Sequence, residues 1–206
     1  MSDVHEHLEH AEEVEHAAHS NKKIALVISV LALFLALSET LGKSAQTAAL
    51  SQNIEASDLW NFFQAKTIRQ TVLRTAGETN AIELATIADP AAKAAMEKQI
   101  DAWKKTSDRY ESDPSTNEGR KELTRRAQET EKRRDLNLAK YENYEMGSAA
   151  FQIGIVLASA SVITGMLALA WGAGALGVIG LMFTGFGLLA PDLLEHVQSL
   201  FAAGGH

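Results

Sequence analysis

The stretch MGSAAFQIGIVLASASVITGMLALAWGAGALGVIGLMFTGFGLLAP, residues 146–191, contains no Asp, Glu, Lys, Arg or His. It is more than twice the roughly 20 apolar residues that one bilayer crossing takes, so it suits two crossings joined by a tight turn. The run divides most naturally at Trp171-Gly172-Ala173-Gly174, which predicts the turn there, with Gly147 to Ala170 and Ala175 to Ala190 as its arms. Gly172-Ala173-Gly174-Ala175-Leu176-Gly177 also matches the dinucleotide fingerprint GxGxxG, but that motif works only between a strand and a helix. Between two apolar helices it reads as a turn in which glycine supplies unusual backbone angles and close packing.

Outward from this hairpin, Ile24 to Leu41 is a third apolar run, so the chain is expected to be an integral membrane protein of three spans. Lys22 and Lys23 before it resemble a signal-sequence flank, and Ser44-Ala45-Gln46 to Ala48-Ala49 imitates a cleavage site. The acidic leader is wrong for a secretory amino terminus, which argues for a retained span. Absence of cysteine excludes disulfides, thiolate metal sites and a thiol nucleophile, and leaves the compartment open.

Elsewhere the sequence favours helix. The prolines at 90, 114 and 191 all fall where helices start or stop, and Ala, Glu, Lys, Gln and Arg dominate between them. The expected fold is all-α: three transmembrane helices with a long extramembrane helical hairpin, a stalk, between the first and second spans. The segments are an acidic, His-containing leader (1–23), a first span (24–41), the stalk (42–148), a transmembrane hairpin (149–190) and an amphipathic carboxyl-terminal segment (191–206) suited to the membrane surface.

In the stalk, one helix is expected to continue from the membrane to about Ala88, with Phe62, Ala65, Ile68, Val72 and Ala76 as a buried stripe. A second runs from Pro90 to Glu111. A third starts near Ser115, capped with Glu118 three residues on, and continues into the second span. Its candidate coiled-coil seam, Leu123, Ala127, Thr130, Arg134, Leu138 and Tyr141, is half polar, and Glu122 with Arg126 and Glu129 with Arg133 pair as on a solvated helix, so an exposed helix packed on one side is the stronger reading. Residues 42–148 hold 17 basic and 17 acidic residues, a balance that argues against nucleic acid as a partner.

The leader concentrates five of the seven histidines, and Glu12, His16 and His19 would share a helical face able to hold a divalent ion. An exposed tail has no further groups to orient such ligands, so a solvated acidic helix is the stronger reading and no cofactor is expected. Glu39 is the sole acid within a span; it marks either hydration at the membrane edge or an ion path. Ala150, Gly154 and Ala158, with Ser161 and Gly165, recur every four residues and suit close helix packing in the membrane. Tyr141 and Tyr144 at one end and Trp171 at the other mark the two interfaces. The basic residues near the spans, Lys43, Lys132, Arg133, Arg134 and Lys140, favour a cytoplasmic stalk.

The histidine-bearing leader, the span opening at Lys22-Lys23-Ile24-Ala25, the stretch from Glu55 to Gln70 (EASDLWNFFQAKTIRQ) and the glycine-rich hairpin together resemble a family of uncharacterised bacterial membrane proteins, domain of unknown function 4337. The resemblance covers nearly the whole chain. It implies a bacterial inner membrane location, and it implies no activity, cofactor or site residues. With no nucleophile, base and orienter to assemble, an enzyme is not expected. The expected function is a membrane-anchored helical scaffold or interaction protein. In that reading Trp60, Phe62, Phe63, Lys66 and Arg69 contact a second copy or another membrane protein, and the lipid bilayer is the constant partner. A channel or transporter component with Glu39 at its mouth is the alternative.

Overall fold

In the computed structural model, the described backbone covers residues 2–191 and the described side chains cover residues 22–191. Among these there is no strand. The described residues form four α-helices, α1 (Ser2–Glu83), α2 (Pro90–Glu111), α3 (Arg120–Thr164) and α4 (Leu167–Leu189), with a short 3-10 turn, Leu84–Thr86, after α1. Three of them, α1, α3 and α4, contain stretches long and apolar enough to cross a membrane. The carboxyl-terminal segment expected to lie on a membrane surface falls outside the described residues.

Helix ends follow local chemistry. The Asp89 carboxylate accepts hydrogen bonds from the Ala91 and Ala92 amides at 3.1 and 3.3 Å, and Pro90 occupies the first turn, where its missing N–H costs nothing. The expected start of α3 at Ser115 is corrected to Arg120. Residues 114–117 form a turn instead, with Asn117 left-handed at φ 59° and the Ser115 hydroxyl donating to Asp113. Glu122, rather than Glu118, reaches back to this turn. It accepts from the Ser112 hydroxyl at 2.7 Å and the Asp113 amide at 3.2 Å.

A second correction concerns the hairpin. The break between α3 and α4 lies at Gly165-Met166, so Gly172, Ala173, Gly174 and Gly177 are all inside α4. Gly165 has φ +71°, which glycine adopts without steric cost. The Ser161 hydroxyl donates to the Met166 carbonyl at 3.0 Å, and the Thr164 hydroxyl accepts from the Met166 amide at 3.3 Å, so side chains supply the turn's backbone partners.

The chain divides into two units, Met1–Ala48 with Leu136–His206, and Ala49–Asp135. In the first, α3 and α4 pack with the first apolar stretch of α1 around Ile24, Ala158 and Ala173, and Phe34 stacks on Phe151 with centroids 6.0 Å apart. In the second, Leu59, Leu123 and Ala127 form the centre, flanked by Trp60, Phe62 and Phe63.

Along α1 the buried and half-buried positions alternate at spacings of three and four, through Ile24, Ile28, Leu31, Leu35, Ser38, Gly42 and Ala45, then Ala49, Gln52, Ala56, Leu59, Phe63, Lys66, Gln70, Leu73 and Gly77. This is the 3.5-residue repeat of a coiled-coil seam. It corrects the expected buried stripe, because Ile68 and Val72 are 65% and 61% exposed. On α3 the candidate positions Leu123, Ala127 and Thr130 are buried and Arg134 is half-buried, but Leu138 is exposed.

Candidate functional site

Small residues determine how closely the first unit packs. A Cβ added at Gly180 would lie 2.6 Å from the Phe151 ring, and one at Gly187 would lie 2.7 Å from the Tyr144 ring. Beside them the buried Ser38 hydroxyl donates to the Tyr144 carbonyl at 2.9 Å and lies 3.3 Å from the Thr184 hydroxyl, which itself reaches the Gly180 carbonyl at 2.8 Å. Each hydroxyl has a single proton, and with both donated to carbonyls the 3.3 Å approach is a contact between two oxygens, so α1, α3 and α4 meet at one polar node. Gly147 leaves room for it, since a Cβ there would lie 2.7 Å from the Thr184 oxygen.

Next to this node opens a pocket of about 450 Å³ between α1 and α3, lined by Ser38, Glu39, Gly42, Lys43 and Gln46 on one side and Tyr141, Tyr144, Glu145, Ser148, Ala149 and Gln152 on the other. The Gln152 amide donates to the Glu39 carboxylate at 3.3 Å. Repulsion between the Glu145 carboxylate and a phenolate raises the pKa of Tyr141. Glu39 was legible in sequence; its partner across the helices was not, because nothing in linear spacing links positions 39 and 152.

The second unit carries a network of buried polar groups. Gln70, 3% exposed, donates to the Ser107 carbonyl at 3.1 Å and to Glu111 at 3.2 Å, while its own carbonyl accepts from Arg120 at 2.6 Å. Arg120 also pairs with Glu111 at 2.9 Å and lies over the Phe63 ring at 4.9 Å. Lys66 lies over Phe62 at 4.9 Å and Tyr110 at 5.7 Å and reaches Glu118 at 3.5 Å. The Trp60 indole donates to Glu131 at 2.8 Å and meets Phe63 edge to face.

The family described as Domain of unknown function (DUF4337) matches residues 20–190. The chain belongs to this family. The family segment contains the pocket, the polar node and the Gln70–Arg120 network, and starts after Glu12, His16 and His19. No curated protein and no solved structure matches the chain.

The residues singled out in the sequence fall in different places. Glu12, His16 and His19 lie outside the residues whose side chains are described, and among the others no group of three or more His, Asp or Glu is placed to hold a metal ion. Lys66 is buried, Phe62 and Phe63 are half-buried and Arg69 is exposed, so the Trp60 to Arg69 segment turns its aromatic groups toward neighbouring helices of its own unit. Ala150, Gly154 and Ala158 are buried, and Gly154 lies where a Cβ would stand 3.3 Å from the Ala173 carbonyl and from Leu31. Gly165 belongs to the turn rather than to a helix contact.

Proposed function

We propose that this family member is a multi-pass protein of the bacterial inner membrane whose spans, Ile24 to Leu41, Met146 to Thr164 and α4, anchor an extramembrane helical stalk that acts as a scaffold rather than as a catalyst. The outer faces of the spans support the bilayer part of this reading. Leu26, Ile163 and Leu189 are 66%, 84% and 88% exposed, and apolar surface of that kind is stable against lipid.

The observation that carries the scaffold reading is the face of α1 turned away from its seam. Leu50, Ile54, Ile68 and Val72 lie there, between 56% and 65% exposed, and the internal contacts of the unit leave them uncovered. Such a face suits a second copy, because its two apolar pairs, Leu50 with Ile54 and Ile68 with Val72, lie on either side of Asn61 and can meet pairwise about a two-fold axis. Mass measurement across a series of mild detergents tests this. We expect a dimer or higher oligomer, converted to monomer by Ile68→Glu with Val72→Glu; a strictly monomeric wild-type particle overturns self-association. Because the chain has no cysteine, single cysteines placed at Ser57 or Thr106 report the side of the membrane, and protection from an impermeant maleimide in intact cells is expected for a cytoplasmic stalk.

The Glu39–Gln152 pair supports a second reading, a channel component. Against it, transport sites usually lie near the bilayer midplane, and Glu39 lies close to one edge. Ion flux in liposomes that depends on Glu39 and is lost in Glu39→Gln would favour the channel over the scaffold.

A further inference from the structure

We infer that the pocket formed by Glu39, Lys43 and Gln46 of α1 with Tyr141, Glu145 and Gln152 of α3 binds the headgroup of an aminophospholipid, its phosphate on Lys43 and its ammonium on Glu39 and Glu145. The inference rests on the bilayer part of the proposed function. At about 450 Å³ the pocket is in the size range of small-molecule sites. Its charges are mixed: one ammonium, Lys43, and two carboxylates, Glu39 and Glu145, with the Tyr141 phenol and two amides between them. A headgroup carrying only a phosphate would meet more negative than positive charge there. A zwitterion presents one partner of each sign, and its ammonium N–H groups suit the acceptor-rich wall.

Position supports the same ligand. Lys43 follows the end of the first apolar run, while Glu39 lies inside it, and Gln152 stands about 9 Å beyond Met146 at ~1.5 Å of rise per residue. Polar groups therefore line a notch reaching from the membrane edge into the apolar layer. From Gln152, Val156 and Ile163 continue down the same face of α3, 65% and 84% exposed. They stand about one and three turns further on, and the rise from Gln152 to Ile163 is ~16 Å, close to the ~15 Å of one leaflet. An acyl chain can lie along them while its headgroup fills the notch. No part of the self-association reading uses these residues, so the pocket is available in a monomer or an oligomer.

Native mass spectrometry of the full-length protein in mild detergent tests this, with phosphatidylethanolamine, phosphatidylcholine and phosphatidylglycerol of identical acyl chains added in turn. Retention of phosphatidylethanolamine over both other lipids is expected. Lys43→Gln and Glu39→Gln should each lower that retention about tenfold, the scale of one lost charge-assisted contact. Ala149→Trp, which fills the pocket and keeps its charges, should lower it as well and guards against a charge variant that misfolds. Soluble phosphoethanolamine should fail to compete, because it lacks the acyl chain. Equal or better retention of phosphatidylglycerol or phosphatidylcholine, competition by the soluble headgroup, or retention unchanged in all three variants overturns the proposal. Alkaline carbonate extraction separates this failure from failure of the membrane reading: a protein released from membranes disproves the spans, whereas an integral protein without lipid preference disproves the pocket alone.

Discussion

The same heptad seam on α1 is filled in two opposite ways. In the first unit it runs Ile24, Leu31, Ser38, Gly42 and Ala45, and the facing helices offer Gly147, Gly154, Gly177 and Gly180. In the second it runs Leu59, Phe63, Lys66 and Gln70, facing Leu123, Ala127 and Arg120. Between helices in lipid, apolar burial drives little, because the alternative neighbour is equally apolar; contact depends on shape and on hydrogen bonds between helices. In water, burial of aromatic and aliphatic groups drives association strongly enough to carry charged side chains in the same interface, provided that each finds a partner.

The sharpest test of that contrast enlarges a small residue. Gly180→Ala places a methyl 2.6 Å from the ring of Phe151, which is fully buried and stacked on Phe34 and so cannot swing aside. A loss of about 2 kcal/mol is expected, in the usual range for overpacking a tight core. Thermal unfolding in detergent reads it, and Phe151→Leu added to Gly180→Ala should recover part of the loss by making space. If the single substitution leaves the midpoint unchanged, the first unit is not held by close shape.

This test also shows what the sequence could convey. All-α architecture, the Asp89-Pro90 helix start and the apolar runs were legible, because capping chemistry and length are local properties. The hairpin turn is not legible, because the glycines of α4 look like turn residues in one dimension. In three dimensions Gly177 and Gly180 allow close approach, and the actual turn depends on the less conspicuous Ser161, Thr164 and Gly165. The stripe through Ile68 and Val72 looks buried in the sequence for the converse reason. Hydrophobic periodicity is blind to a seam containing Lys66 and Gln70, whose burial depends on Tyr110, Glu111, Glu118 and Arg120 far along the chain. The pocket beside Glu39 was hidden for the same reason, since its two walls are more than 90 residues apart.

In the second unit buried Lys66 and half-buried Arg120 should differ. Arg120→Met removes the donor shared by Gln70 and Glu111 and leaves both acceptors without it, so a loss of about 2 kcal/mol is expected. Lys66→Met keeps the buried stem and gives up two ring contacts and a 3.5 Å pair with a half-exposed Glu118, for a loss below about 1 kcal/mol. Thermal unfolding of both variants side by side decides between them. Equal losses would mean that charge itself, rather than satisfied hydrogen bonding, holds this seam together.

The smallest effect is expected at the turn between α2 and α3, where the second unit depends on protonation. Asp113 has its pKa lowered from 3.8 to about 2, chiefly by the Ser115 hydroxyl, with Arg109 and Thr116 adding to it against the opposing effect of desolvation. Glu122 is lowered as well, first by the Ser112 hydroxyl. A carboxylate with a depressed folded-state pKa contributes stability that is fully present above its unfolded value and is lost as pH falls through its folded value. For Asp113 the loss therefore lies between about pH 4 and pH 2, with Glu122 acting in the same direction. Hydrogen exchange of backbone amides 112–119, corrected for intrinsic exchange, should show protection falling across that window. Asp113→Asn should flatten much of the fall, because the amide keeps an acceptor for Ser115 but cannot titrate. An unchanged profile in Asp113→Asn would assign the acid sensitivity to Glu122, whose carboxylate joins the end of α2 to the first turn of α3.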